Sequence, residues 1–202
     1  MFCIVLATRN FHKVEEIRNI LDLNNVLLIP YTRYIDLHIP EPGDTLLENS
    51  FLKAEFIHRI IKLPALADDS GLFIEKLDGA PGVLSSRYEV NAEKRIERVL
   101  KELGRAKNRR AWFRAVFVYY YDIKKYKIFE GEIEGRIAYE PRGEWGFGYD
   151  PIFIPKGYKK TFAELGPWVK NRISHRARAL KQFKKFLLKN FVREIESGKT
   201  LI

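Results

Sequence analysis

Three short apolar runs, FCIVLA at 2–7, VLLIP at 26–30 and ALADD at 65–69, alternate with two helical patterns that carry their own start signals. Asn10 stands where it can cap a helix whose apolar positions Val14, Ile17, Ile20 and Leu21 recur at helical spacing. Thr45 and Glu48 match a capping box after the turn chemistry of PEPGD, opening a second helix through about Ile61. Short apolar runs separated by helices are the pattern of strands buried on both faces. Farther along, WFRAVFVYYYD at 112–122 and YKIFEGEIEGRIA at 126–138 are β-rich, with a hairpin connection at DIKK. This order predicts an α/β fold, a mixed β-sheet flanked by helices, with the β-rich middle as a second lobe and a cleft between the two. KLDGAPGVLSSRY at 76–88 and EPRGEWGFGYDPIFIP at 140–155 are loop-like, and 92–103 reads as an amphipathic helix. A last helix over about 174–196 carries Leu180, Phe183, Leu187, Phe191 and Ile195 on one face.

At 202 residues, 46% of them hydrophobic, the chain can bury a substantial core as one domain over 1–202 with no separate linker. No apolar run approaches the roughly 20 residues that span a bilayer, and MFCIVLATRN reads as a first strand of a cytoplasmic protein. Cys3 is the only cysteine, which excludes an internal disulfide and a cysteine zinc cluster. The net charge of +10 implies attraction to polyanions, whether nucleic acid, anionic membrane or nucleotide. The basic helix KQFKKFLLKNFVREIE resembles a membrane-surface helix, but its apolar face fits core packing better. GKT at 198–200 is not a P-loop, because Arg193 occupies the place of the first glycine.

Five segments can carry chemistry. TRNFHK at 8–13 follows a strand and starts a helix, where backbone N–H groups and the helix dipole favour anions; the alternative is an ordinary cap. In PEPGDTLLENSFLKAE, Glu41 can serve a divalent cation and Lys53 a phosphate oxygen, each otherwise a solvated charge. ADDSG places Asp68 and Asp69 inside an apolar run, which is expensive without a cationic partner. A strand ending there can give one carboxylate to Mg²⁺ and the other to a reacting water; a plain turn is the alternative. GFGYDP suits a stacked base, with Asp150 available for hydrogen bonding, or else is a tight turn. KNRISHRARAL gathers Lys170, Arg172, His175, Arg176 and Arg178 at a helix start, where cations are disfavoured by the dipole.

Together these segments resemble the inosine triphosphate pyrophosphatase family, also called Ham1-like. The matching stretches are TRNFHK at 8–13, EPGDTLLENSFLKA at 41–54, ADDSGL at 67–72, GAPGVLSSRY at 79–88, GFGYDPIF at 146–153 and SHRARAL at 174–180. The resemblance implies an elongated two-lobed α/β fold and a cytoplasmic homodimer, with no stable nucleic-acid partner and no membrane. It implies Mg²⁺-assisted hydrolysis of inosine and xanthosine triphosphates and their deoxy forms to the monophosphate and pyrophosphate. Asp69 would then be the general base, beside the metal. Glu41 would assist the metal, with Asp68 its rival. Thr8, Arg9, Asn10, Phe11, His12 and Lys13 would hold the triphosphate with Lys53, and Ser70 would touch substrate. Phe147, Gly148, Tyr149, Asp150, Lys170, His175 and Arg176 would bind the nucleotide, the last two reading the base. Ser86 stands where Ala is frequent in the family, and Gly166-Pro167-Trp168 replaces a more polar stretch, which bears on how Lys170 is presented. The rival class is a basic nucleic-acid-binding protein without turnover, and a second enzyme reading is a phosphatase releasing orthophosphate.

Overall fold

The computed structural model describes residues 1–198; Lys199 and Thr200 of the GKT stretch lie outside them. The elements are β1 (Phe2–Leu6), α1 (Phe11–Leu21), β2 (Val26–Pro30), α2 (Leu46–Ile61), β3 (Ala65–Ile74), α3 (Ala92–Leu103), β4 (Arg110–Asp122), β5 (Lys125–Ile137), β6 (Phe153–Pro155), α4 (Phe162–Ile173), α5 (His175–Asn190) and α6 (Val192–Ser197). The strands form one sheet in the order β2-β1-β3-β4-β5-β6. It is mixed, as expected: β1 pairs in parallel with β2 and β3, whereas β5 pairs antiparallel with β6.

The described residues divide into two compact units, 1–69, 116–130 and 179–198 in the first, and 70–115 and 131–178 in the second. The first unit packs Val5, Ala7, Tyr31, Ala54, Ile57, Ala67, Val118 and Tyr120 into one core. The same unit holds a separate aromatic group, with Tyr119 ringed by Tyr121, Phe183, Phe186 and Phe191 at centroid distances of 5.0–6.3 Å. The second unit packs Leu72, Ile74, Val99, Phe113, Ile133, Tyr149, Phe153 and Phe162.

Local signals explain the helices. Asn10 Oδ1 accepts from the Lys13 N–H at 3.3 Å, and both halves of the Thr45–Glu48 capping box are made. Leu180, Phe183, Leu187, Phe191 and Ile195 are all buried, so the basic terminal helix uses its apolar face for the core.

Four expectations change. The strand does not end at Asp68-Asp69: β3 runs on to Ile74, with Gly71 set so tightly against Gly82 that a Cβ would stand 2.2 Å from its carbonyl oxygen. Segment 140–155 contains β6, three residues long. The terminal helix is not continuous, since Phe191 leaves helical geometry (φ −130°) where its ring enters the aromatic group, separating α5 from α6. A helix before it, α4, starts at a full Thr161–Glu164 capping box and bends at Gly166 (φ 75°) and Pro167. Lys170 and Arg172 therefore sit at a helix C-terminus, where cations are favoured, and only His175, Arg176 and Arg178 meet the positive end of α5.

The Tyr119 hydroxyl is fully buried and, among the described residues, has no hydrogen-bond partner. Removing an orphaned hydroxyl from an apolar site is neutral or stabilising. Tyr119→Phe is expected to leave Tm unchanged or raise it by about 2–4 °C per kcal/mol recovered in a chain of this size. A drop of more than about 3 °C by calorimetry would contradict that account.

Candidate active site

In the first unit the predicted charges converge. Successive side chains of a strand point to opposite faces, and Asp68 and Asp69 in β3 are 2% and 6% exposed. Lys13, from the first turn of α1, reaches Asp68 Oδ2 at 3.0 Å. Lys53, from the middle of α2 and itself buried, donates to the Asp68 carbonyl oxygen at 2.7 Å and pairs with Glu41. Asp69 Oδ2 accepts from Asn49 Nδ2 at 3.0 Å. One polar frame thus holds three carboxylates and two ammonium groups.

Burial is the dominant influence on Asp69 and pushes its carboxyl above the ordinary range. Lys53, Lys13 and the Asn49 hydrogen bond pull it down, Glu41 pushes it up, and desolvation prevails. A carboxylate that is ionisable yet tuned toward neutrality is what a general base requires.

Asn49 is the site residue that the sequence reading missed. It is fully buried, and its Oδ1 accepts from the Gly43 N–H at 2.8 Å while Nδ2 reaches the Gly43 carbonyl oxygen at 3.3 Å. It therefore ties the Glu41-bearing loop to Asp69. The one signal available was an amide in the first turns of a helix, on the same face as Lys53.

The other members of 8–13 surround the opening of α1. Thr8 Oγ1 accepts from the Asn10 N–H at 3.1 Å, which shapes a turn ahead of helix N–H groups that lack intrahelical partners. Phe11 is 64% exposed and meets the His12 ring edge-on. Arg9 points elsewhere, to Asp36 at 2.5 Å.

In the second unit, Phe147 lies against two cations, with Lys170 Nζ 4.4 Å and the Arg176 guanidinium 5.2 Å from its ring centroid. Arg176 donates to Ser70 Oγ at 2.8 Å. Asp150 is buried, accepting from Lys170 Nζ at 2.5 Å and from the Phe147 N–H at 2.8 Å, so it fastens its own loop and Lys170 together. Gly166 and Pro167 bend α4 and Trp168 is 82% exposed, while Lys170 still reaches Asp150. His175 is buried and stacks on Phe113 at 4.8 Å and 13°. Tyr149 belongs to the core: its ring is 5% exposed and its hydroxyl donates to the Ser85 carbonyl oxygen at 2.9 Å. Gly148 (φ 62°) leaves open space where a side chain would stand, so this stretch offers backbone rather than the Tyr149 ring.

A model of the Ham1 family matches residues 4–186. The chain is 47% identical over 190 residues to a dITP/XTP pyrophosphatase of Porphyromonas gingivalis, covering 92% of this chain and 97% of that one. It is 45% identical over 193 residues to a dITP/XTP pyrophosphatase of Aquifex aeolicus, covering 89% and 93%. Among solved structures, a HAM1 protein from Coxiella burnetii matches with a TM-score of 0.86 at 42% identity, covering 94% of this chain and 100% of that one.

Because the Asn49 bond favours the charged form of Asp69, Asn49→Ala should move the Asp69 titration further up. Carboxyl-carbon NMR is expected to show a wild-type midpoint above the unperturbed value of about 3.9 and a higher one in the variant. A downward shift would contradict the assignment.

Proposed function

The chain belongs to the Ham1 family, and from that membership we propose that it hydrolyses deaminated purine nucleoside triphosphates, those of inosine, deoxyinosine and xanthosine, to the monophosphate and pyrophosphate. The observation that carries this reading is the frame of buried Lys53, Asp68 and Asp69 with half-buried Lys13 and Glu41. It combines positive charge for phosphate oxygens with a carboxylate tuned toward proton uptake.

In this mechanism Asp69 takes the proton of the attacking water as the α–β phosphoanhydride opens, an effect worth about 10²–10⁴-fold. The released pyrophosphate carries additional charge, which Lys13 and Lys53 stabilise together with the opening of α1. No covalent intermediate is needed.

The donor set fits Mg²⁺. Among the described residues no three His, Cys, Asp or Glu side chains are arranged to hold a metal by themselves. Mg²⁺ is ordinarily bound by one or two carboxylates with water and phosphate oxygens completing the shell. Glu41 and Asp69 would hold it, with Asp68 as the further carboxylate, and once bound it supplies charge stabilisation at the phosphates.

In this proposal the residues around Phe147 supply the purine contacts. A 6-keto purine presents an acceptor where adenine presents a donor, so His175 and Arg176 favour the keto form, and a mismatched base leaves buried polar groups unpaired. Phe147 offers a ring for stacking. The working form in this proposal is a cytoplasmic homodimer; no described helix is long and apolar enough to cross a membrane.

A panel of nucleoside triphosphates with Mg²⁺, with pyrophosphate and orthophosphate measured separately, tests this reading. Expected is pyrophosphate from inosine and xanthosine triphosphates at rates at least about 10²-fold above adenosine triphosphate. Orthophosphate alone, or equal rates for all bases, would overturn it. Since the base must be ionised and its titration is raised, the acid limb of kcat/KM should lie above about pH 4 and activity should fall as pH drops through it.

A further inference from the structure

Ser85 lies in none of the groups assigned above, yet it joins three segments of the second unit. It is 6% exposed. Its Oγ accepts from the Leu72 N–H at 2.8 Å and donates to the Gly82 carbonyl oxygen at 2.6 Å, while its own carbonyl oxygen accepts from the Tyr149 hydroxyl at 2.9 Å. The first bond lands two residues beyond Ser70, on the part of β3 where Gly71 lies flush against Gly82. The last fixes the loop that carries Phe147 and Asp150.

These bonds complete a closed circuit. Arg176 donates to Ser70; β3 leads to Leu72 and hence to Ser85; Ser85 holds Tyr149; Asp150 holds Lys170 and the Phe147 N–H. Phe147 then lies beside both Lys170 and Arg176, which closes the ring. The loop needs such fastening, because Gly146 (φ 84°) and Gly148 (φ 62°) flank Phe147 and leave its backbone unusually free. The Ser85 and Tyr149 hydroxyls are spent on backbone partners inside the protein.

We propose that Ser85, acting through Tyr149, is a positioning residue that sets the Phe147–Asp150 loop and Ser70 for purine binding. This rests on the function proposed above. It assigns Tyr149 a role through Ser85 rather than through contact with the nucleotide. Because the charged frame in the first unit has its own hydrogen bonds, loss of the circuit should weaken nucleotide binding while sparing the chemical step.

The test uses Ser85→Ala and the milder Tyr149→Phe, each assayed well below its Tm. KM for inosine triphosphate is expected to rise about threefold to tenfold, with kcat within about twofold and less than additive effects in the double variant. Backbone amide exchange at Phe147, followed by NMR, should quicken about threefold or more in both variants. A lowered Tm with unchanged KM and unchanged exchange would reduce Ser85 to a structural residue and overturn the inference. Absence of pyrophosphate release by the wild-type protein would instead overturn the proposed function. In that case faster exchange at Phe147 upholds the fastening of the loop, and unchanged exchange removes it.

Discussion

Two carboxylates at consecutive positions of a buried strand are tolerable here because two lysines stand against them. Unpaired, each buried charge would cost several kcal/mol. Lys13 meets the Asp68 side chain, and Lys53 meets the Asp68 backbone and Glu41. Each lysine is delivered by a helix whose start is set by side-chain caps, Asn10 for α1 and Thr45 with Glu48 for α2. A shift in either helix register would strand a charge in the core. The caps are therefore part of the electrostatics of the site as well as of helix stability.

Neutralisation is incomplete at Asp69, where desolvation outweighs both lysines and the Asn49 hydrogen bond. A folded-state titration raised above the unfolded one means that the ionised carboxylate detracts from stability at neutral pH; the loss is absent below the unfolded titration range and grows as pH rises through it. Stability given up at one buried group, beside neighbours paired with lysines, fits the reactive role proposed for Asp69. The second unit shows a different design. Its polar groups are tied pairwise, Arg176 to Ser70 and Lys170 to Asp150, around one aromatic ring and a glycine-bearing loop.

Local signals were legible in the sequence, and long-range ones were not. The helix starts at Asn10 and Thr45 could be read because the cap and its partner lie three residues apart. The continuation of β3 could not, because Gly71 looks like a breaker until the Gly82 carbonyl is seen to occupy the space of a side chain. The Thr161–Glu164 box was present in the sequence, but Gly166-Pro167 masked the helix it opens. The charged members of the site stood out because carboxylates and lysines in apolar runs demand an explanation. Asn49 and Ser85 escaped notice because each looks like an ordinary polar residue until its partners, 20 and 13 positions away in the chain, are known.

Asp69 is the proposed acceptor of the proton from the attacking water. Replacing it with Asn keeps size and hydrogen-bonding capacity while removing that function. Single-turnover measurement with Asp69→Asn and inosine triphosphate, alongside equilibrium nucleotide binding, tests this directly. The expected result is a loss of about 10²-fold or more in the hydrolytic step, with the nucleotide still bound. Turnover within about threefold of wild type would contradict the account.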